Sequence, residues 1–312
     1  MSTAATATRL ARWWDGDLAY GFRHSPVAVV SALVLFACLA AALLAPWIAP
    51  HNPFDLATLN LSDALTPPRG MDGANPDYLL GTDDQGRDVL SAIMFGTRIS
   101  LMVGAAAVAL AVALGVSLGL VSGYSGGRID AFIMRAADVQ LSFPAILIAL
   151  LIDGVARAVL PRNAHGEVAL LVLIVAIGVS NWPQYARTVR GSTLVEKNKE
   201  YIQAARVIGV RPVAIVFRHL LPNVLGPVLV LATINIATAI VLEATLSFLG
   251  VGVPPTRPSL GTLIRIGNDF LFSGEWWITI FPGAALVILV LTINLLGDWL
   301  RDALNPRLLV GK

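Results

Sequence analysis

Few residues of this 312-residue chain stand where side-chain chemistry would need them. His24, His51, His165 and His219 are scattered over different segments, and no zinc-ligand spacing links them. There is no Ser/His/Asp constellation and no pair of catalytic carboxylates. The glycine-rich Gly123-Tyr124-Ser125-Gly126-Gly127-Arg128 lacks the Lys-Ser/Thr pair that would hold phosphate and metal, and reads as a turn. A single cysteine, Cys38, lies in an apolar run, so no disulfide framework exists. Two polar features remain. Asp83, Asp84, Arg87 and Asp88 crowd together as either a solvated ion-pair cluster or the shaped mouth of a docking surface. Glu243 is the acid deepest in the hydrophobic sequence, eight residues beyond Asn235 in the same run. Such a carboxylate serves either a helix–helix contact or a polar path, so Glu243 and Asn235 are the candidates for lining one. The chain is expected to be no enzyme, with no catalytic, metal or cofactor residues of its own.

The elements that must carry these residues are membrane spans. Hydrophobic residues make up 56% of the chain and charged residues 13%, about half the charge of a soluble domain. Charge-free length predicts six helices: Val27–Ile48, Ile99–Val121, a third around Val139–Ile152, Val168–Ala186, Leu220–Leu242 and Trp276–Gly297. The second is rich in Ala and Gly, which favours close helix packing. The third is too short alone and must start near Ile129, with Asp130, Arg135 and Asp138 at headgroups or against protein and with a kink at Pro144. Lys and Arg favour one side: with both termini inside, the inside segments hold 15 and the outside segments 7 of the 22. Arg9, Arg12, Arg307 and Lys312 contribute to that count, as does Arg162 on the outside. The expected fold is therefore an all-α integral membrane protein with six spans, N-in and C-in.

One long connection does not read as a span. Glu200–Asn223 is basic and amphipathic, and the charge bias puts it on the inside. Tyr201, Ala204, Ala205 and Ile208 follow i, i+3, i+4, i+7, and Val213, Val216, Phe217 and Leu220 repeat the pattern. Gly209 ends the first helix and Pro212 opens the second. The two short helices look built for a partner's groove, with the small alanines allowing close approach.

The same stretch resembles the EAA loop of permease subunits of ABC importers, in the dipeptide, oligopeptide and nickel branch. The resemblance is carried by Gln203-Ala204-Ala205, then Gly209, then His219-Leu220-Leu221-Pro222, with Gln203 where the family has Glu and His219 where it has Ile. Leu80-Gly81-Thr82-Asp83, Gly86-Arg87-Asp88, the run Glu243–Gly250, and the closing Asn294, Gly297-Asp298, Arg301-Asp302 and Asn305-Pro306-Arg307 are similar to the same family. The resemblance implies a type I importer transmembrane domain over 97–312, with the loop at about 190–222. Ahead of it, 1–96 would hold a cytoplasmic segment, the first span and a periplasmic loop. It implies a bacterial inner-membrane subunit that forms half of a pathway for peptides, or alternatively for nickel or another small solute; a self-sufficient secondary transporter or channel is the further alternative. Implied partners are a homologous second permease, two ATPase subunits carrying ATP and magnesium, a periplasmic solute-binding protein and membrane lipid, with no nucleic acid. Glu200, Tyr201, Gln203, Ala204, Ala205, Arg206, Ile208 and Gly209 are the residues expected to meet the ATPase.

Overall fold

The computed structural model describes residues 17–55, 59–161 and 165–303. Arg9, Arg12, Arg162, the Asn305-Pro306-Arg307 motif and Lys312 lie outside the described residues. A short helix α1 (Asp17–Arg23) leads into α2 (Pro26–Ile48). Ser25 starts α2 by accepting from the Ala28 amide, with Pro26 in the first turn where its missing N–H is harmless. After a loop come α3 (Val89–Ser125), α4 (Gly127–Leu141), α5 (Ala145–Val159) and α6 (His165–Glu196). The short α7 (Glu200–Val207) follows, then a helical turn (Pro212–Ala214) and a π-helical segment (Ile215–Leu220) that run straight into α8 (Leu221–Phe248). The chain continues through α9 (Leu260–Asn268) to α10 (Trp277–Ala303). Among the described residues five helices are long and apolar enough to cross a membrane, or six where α4 with α5 is counted as one bent span. The helices overrun the charge-free runs: α3 starts ten residues before Ile99, so a division at residue 97 falls inside it.

The axis of the bundle is the α3–α6 contact, and glycines set its closeness. Gly115, Gly119 and Gly123 lie along one stripe of α3 against Tyr185, Ala186, Val189 and Thr193 of α6. A methyl group on Gly119 would stand 2.6 Å from the Ala186 carbonyl oxygen, and one on Gly123 2.7 Å from Thr193 Cβ. Gly178 reciprocates from α6, where a methyl would meet the Ala107 carbonyl oxygen at 3.0 Å. In lipid there is no hydrophobic drive between helices, so this backbone approach and its van der Waals contact hold the pair together. The main core then spreads from the seam through Val103 and Ala107 to Ala149, Leu173, Ile177, Val224 and Leu246.

The third span is a correction. It is not one kinked helix: α4 and α5 meet at 95°. Pro144 keeps its neighbour Phe143 out of the helical region and itself stands at the head of α5. The pair nevertheless traverses the bundle. Arg190 Nε and Nη2 donate to Asp130 at 2.5 and 2.7 Å beside the last turns of α6. Gln140 Nε2 donates to the Val179 carbonyl at 2.5 Å and accepts from Trp182 Nε1 at 2.9 Å farther along. Asp153 and Arg157, paired at 2.5 Å, share a small cleft with Val168 and Val172 at the beginning of α6.

Candidate functional site

The Glu200–Asn223 segment sits at the bundle end where α3 and α6 finish and α8 begins. Its first helix, α7, closes in a Schellman turn: the Val210 amide donates to the Ala205 carbonyl at 3.0 Å and the Gly209 amide to the Arg206 carbonyl at 3.1 Å. Gly209 has φ +79° with open space where a β-carbon would stand, so it is required by backbone conformation and not by space. The second amphipathic helix of the sequence reading is not separate. The turn, the π segment and α8 form a continuous 37-residue helix, Pro212–Phe248. Pro222 has no N–H for the Arg218 carbonyl and its ring crowds that oxygen, which accounts for the wider π winding before it.

Burial divides the residues expected to face a partner. Ile202 and Ala205 point inward and belong to the main core. Ala205 is therefore a contact to this chain's own body, not part of an outward stripe. Tyr201, Gln203, Ala204, Arg206 and Ile208 are exposed, as is Glu200. Val207, which the i, i+3, i+4, i+7 pattern passes over, is 87% exposed, next to Ile208 at 77%. Val213 and Phe217 extend this apolar surface across the following helix. The sequence signal for Val207 was its place opposite Ile202 and Ala205, legible only once those two are known to be inside.

The segment is fastened to three helices at once. Tyr201 Oη donates to Glu196 Oε2 at 2.8 Å and accepts from Asn223 Nδ2 at 3.2 Å. Partial burial, and then the Glu196 carboxylate, push the Tyr201 hydroxyl above its ordinary range and keep it a donor. Asn223 also donates to the His219 carbonyl at 2.6 Å, and the His219 ring lies 6.4 Å from that of Tyr201. Lys197 Nζ donates to the Gly123 carbonyl at 2.7 Å, and the Arg206 guanidinium lies 5.5 Å over the Tyr124 ring. Gln203, in place of a carboxylate, donates to the Asn198 carbonyl at 3.2 Å, a bond within its own segment.

At the opposite end the 81–88 loop is closed in by its own contacts. Asp83 and Arg87 are each 2% exposed, which overturns the solvated-cluster reading. Arg87 Nε donates to Asp83 Oδ2 at 2.6 Å, and Nη1 donates to the Pro255 carbonyl at 3.0 Å, fixing the 81–88 loop to the loop before α9. Asp88 caps α3 by accepting from the Ser91 amide and hydroxyl. Asp84 is less enclosed; burial, and then the Asp83 charge, raise its carboxyl above the usual range against the pull of Arg87. Trp277 Nε1 donates to the Thr82 carbonyl at 3.1 Å and ties α10 to the same corner.

Glu243 and Asn235 part company. Glu243 is 0% exposed and accepts from Ser100 on α3 at 2.7 Å and from Ser247 at 2.8 Å. The Ser100 hydroxyl also lies 3.4 Å from the Leu260 amide at the head of α9. The carboxylate faces protein on every side here and joins three helices, so it lines no open path. Asn235 is half-buried on α8, with Nδ2 3.5 Å from Oε1 of the exposed Gln184 on α6. The pair lies at the surface of the bundle. No group of three or more His, Cys, Asp or Glu suited to a metal ion occurs among the described residues.

Comparison with known proteins gives a consistent set. Residues 115–310 match the family described as binding-protein-dependent transport system inner membrane component, and residues 14–68 match the N-terminal TM domain of oligopeptide transport permease C. The dipeptide transport system permease protein of Haemophilus influenzae is 39% identical over 306 residues, covering 98% of this chain and 97% of that relative. The dipeptide permease of Escherichia coli strain K12 is 39% identical over 99% of this chain and 96% of its own length. The oligopeptide permease of Bacillus subtilis is 36% identical over 96% and 91%. Among solved structures, a chain of the inward-facing MetNI methionine ABC transporter superposes with TM-score 0.54 at 22% identity, over 69% of this chain and 96% of that one, and so shares its fold.

Proposed function

The chain belongs to the family of binding-protein-dependent transport system inner membrane components, and on that premise we propose that it is a permease subunit of an ATP-driven peptide importer. It forms half of a translocation pathway beside a homologous second permease, in the bacterial inner membrane, with both termini and α7 on the cytoplasmic side. Two ATPase subunits hydrolyse ATP, and a periplasmic binding protein delivers the peptide. The observation that carries this reading is α7 itself: its inner face is part of the chain's core, while Ala204, Val207 and Ile208 lie open beyond the membrane spans. An apolar surface of that kind, on a helix too short to be a span, suits a groove on another protein.

ATP supplies the differential interaction that shifts a two-state transporter, since it binds the closed ATPase pair better than the open one. α7 carries that closure to α3, α6 and α8 through Tyr201, Lys197 and Asn223. The bent α4–α5 pair supports a pathway on this side of the bundle. Its exposed break at Ser142–Pro144 interrupts the helical ladder at membrane depth, and irregular backbone there must face protein or water. Asn235 and Gln184 add side-chain amides to the polar surface available to a peptide.

The test is copurification and transport. Tagged wild-type chain should bring ATPase subunits out of solubilised membranes, and Val207→Glu should lose them while remaining membrane-inserted. A wild-type chain that comes alone and moves labelled dipeptide into liposomes without ATP would overturn the proposal.

A further inference from the structure

A cleft at the end of the bundle opposite α7 takes no part in the contacts above. It encloses about 550 Å³ between the last turn of α2, the 50–54 loop, the early turns of α3, the start of α6 and the loop before α9. Phe95, Met102 and Leu170 make its walls apolar, while Arg98 and Arg257 bring two guanidinium groups to it beside His51. No carboxylate lines it among the described residues. Both arginines are exposed, and the guanidinium of neither has a hydrogen-bond or ion-pair partner among the described residues. The carboxylate facing His51, Asp88 at 3.8 Å, is buried and engaged with Ser91. Two positive charges thus share one concavity with their donors free.

Depth identifies what they await. Arg98 is the last charge on α3 before an uninterrupted apolar stretch, so it stands where the helix enters hydrocarbon. Met102, one turn deeper and 48% exposed, continues the cleft below it. At the same end of α2, Trp47 is 80% exposed, the position of an interfacial indole. The mouth is therefore cationic at headgroup level and the floor apolar at acyl level. We propose that the cleft binds an anionic phospholipid, its phosphate held between Arg98 and Arg257 and an acyl chain laid along Met102 and Leu170. Guanidinium offers paired donors to phosphate oxygens, and basic clefts between membrane helices take acidic headgroups. A soluble anion would satisfy the arginines but leave the apolar floor uncovered.

The experiment uses the transporter purified with its partner subunits. Retained lipid is measured by mass spectrometry, and melting temperature is followed on adding phosphatidylglycerol, phosphatidylcholine or soluble glycerol 3-phosphate. Wild type should retain phosphatidylglycerol and gain thermal stability from it, and not from phosphatidylcholine. Arg98→Gln with Arg257→Gln should weaken that retention by roughly tenfold or more, the effect of losing charge-assisted hydrogen bonds, whereas Arg69→Gln at the same end should not. Equal retention by the double variant, or an equal effect of phosphatidylcholine, overturns the proposal. A full stabilisation by glycerol 3-phosphate alone makes this an anion site and overturns the lipid. Loss of binding-protein-stimulated transport with lipid retention unchanged overturns it in favour of a protein contact.

Discussion

The two ends of this bundle settle their side chains in opposite ways. At one end Asp83, Arg87 and Trp277 find their partners within the chain, and Glu243 just beneath is enclosed by Ser100 and Ser247. At the other, Val207, Ile208, Val213 and Phe217 stay uncovered around α7 and the start of the helix that follows it. A charge can be buried where an ion pair and hydrogen bonds hold it, whereas a large apolar side chain left in water marks a surface completed by another molecule. The difference separates what the fold needs from what the assembly needs, and substitutions should sort accordingly.

The largest loss is expected from Arg87→Met. It strands the buried Asp83 charge, at a cost of about 3–5 kcal/mol. The melting temperature of the purified complex should fall steeply and partly recover on adding Asp83→Asn; an unchanged value would mean the corner is solvated after all. Next is the seam that joins the two ends. Gly119→Leu forces a side chain into the Ala186 carbonyl and should cost about 1–3 kcal/mol or block assembly of the bundle. Insertion and melting at wild-type levels would show that α3 and α6 can part. Gly209→Val places a β-branched residue at φ +79° and should cost about 1–2 kcal/mol. Transport should fall while Gly209→Asn, which tolerates that conformation, keeps most of it. The smallest effect on stability belongs to Val207→Glu, within about 0.5 kcal/mol, yet it should abolish ATPase copurification. Ala205→Trp sharpens the contrast, since it should lower the melting temperature as well as lose the ATPase; a purely outward Ala205 would lose only the partner.

Much of this was legible in the sequence because hydrocarbon imposes a length and forbids charge. The five long spans, the Ala- and Gly-rich character of α3 and the Gly209 turn follow from those constraints. The 95° break did not follow, because proline alone does not announce it: Pro46, Pro183, Pro227 and Pro282 all lie inside unbroken helices. The fate of Pro144 depends on the neighbouring α6, which offers Val179 and Trp182 to Gln140 just ahead of the bend. Periodicity likewise finds an amphipathic helix at 200–208 but not which flank meets the body. That choice is made by α3, α6 and α8 far away in sequence, and it turns Ile202 and Ala205 in and Val207 out. The burial of Asp83 and Arg87 was hidden for the same reason, since the Pro255 carbonyl that accepts from Arg87 Nη1 is 168 residues distant.

The glycine stripe of α3 has a mechanical consequence. With 37 residues α3 extends about 55 Å, and a helix gripped along its seam behaves as a stiff beam. The stripe lies near the α7 end, with Gly119 about 45 Å along the helix from Val89, so a pivot of about 4° at the stripe swings the far end through roughly 3 Å. That displacement is comparable to a hydrogen-bond length. A tilt too small to disturb the interlocked stripe is thus large enough to make or break contacts at the opposite mouth of the bundle, and tight packing beside α7 is what lets a slight rotation at one face of the membrane be felt at the other.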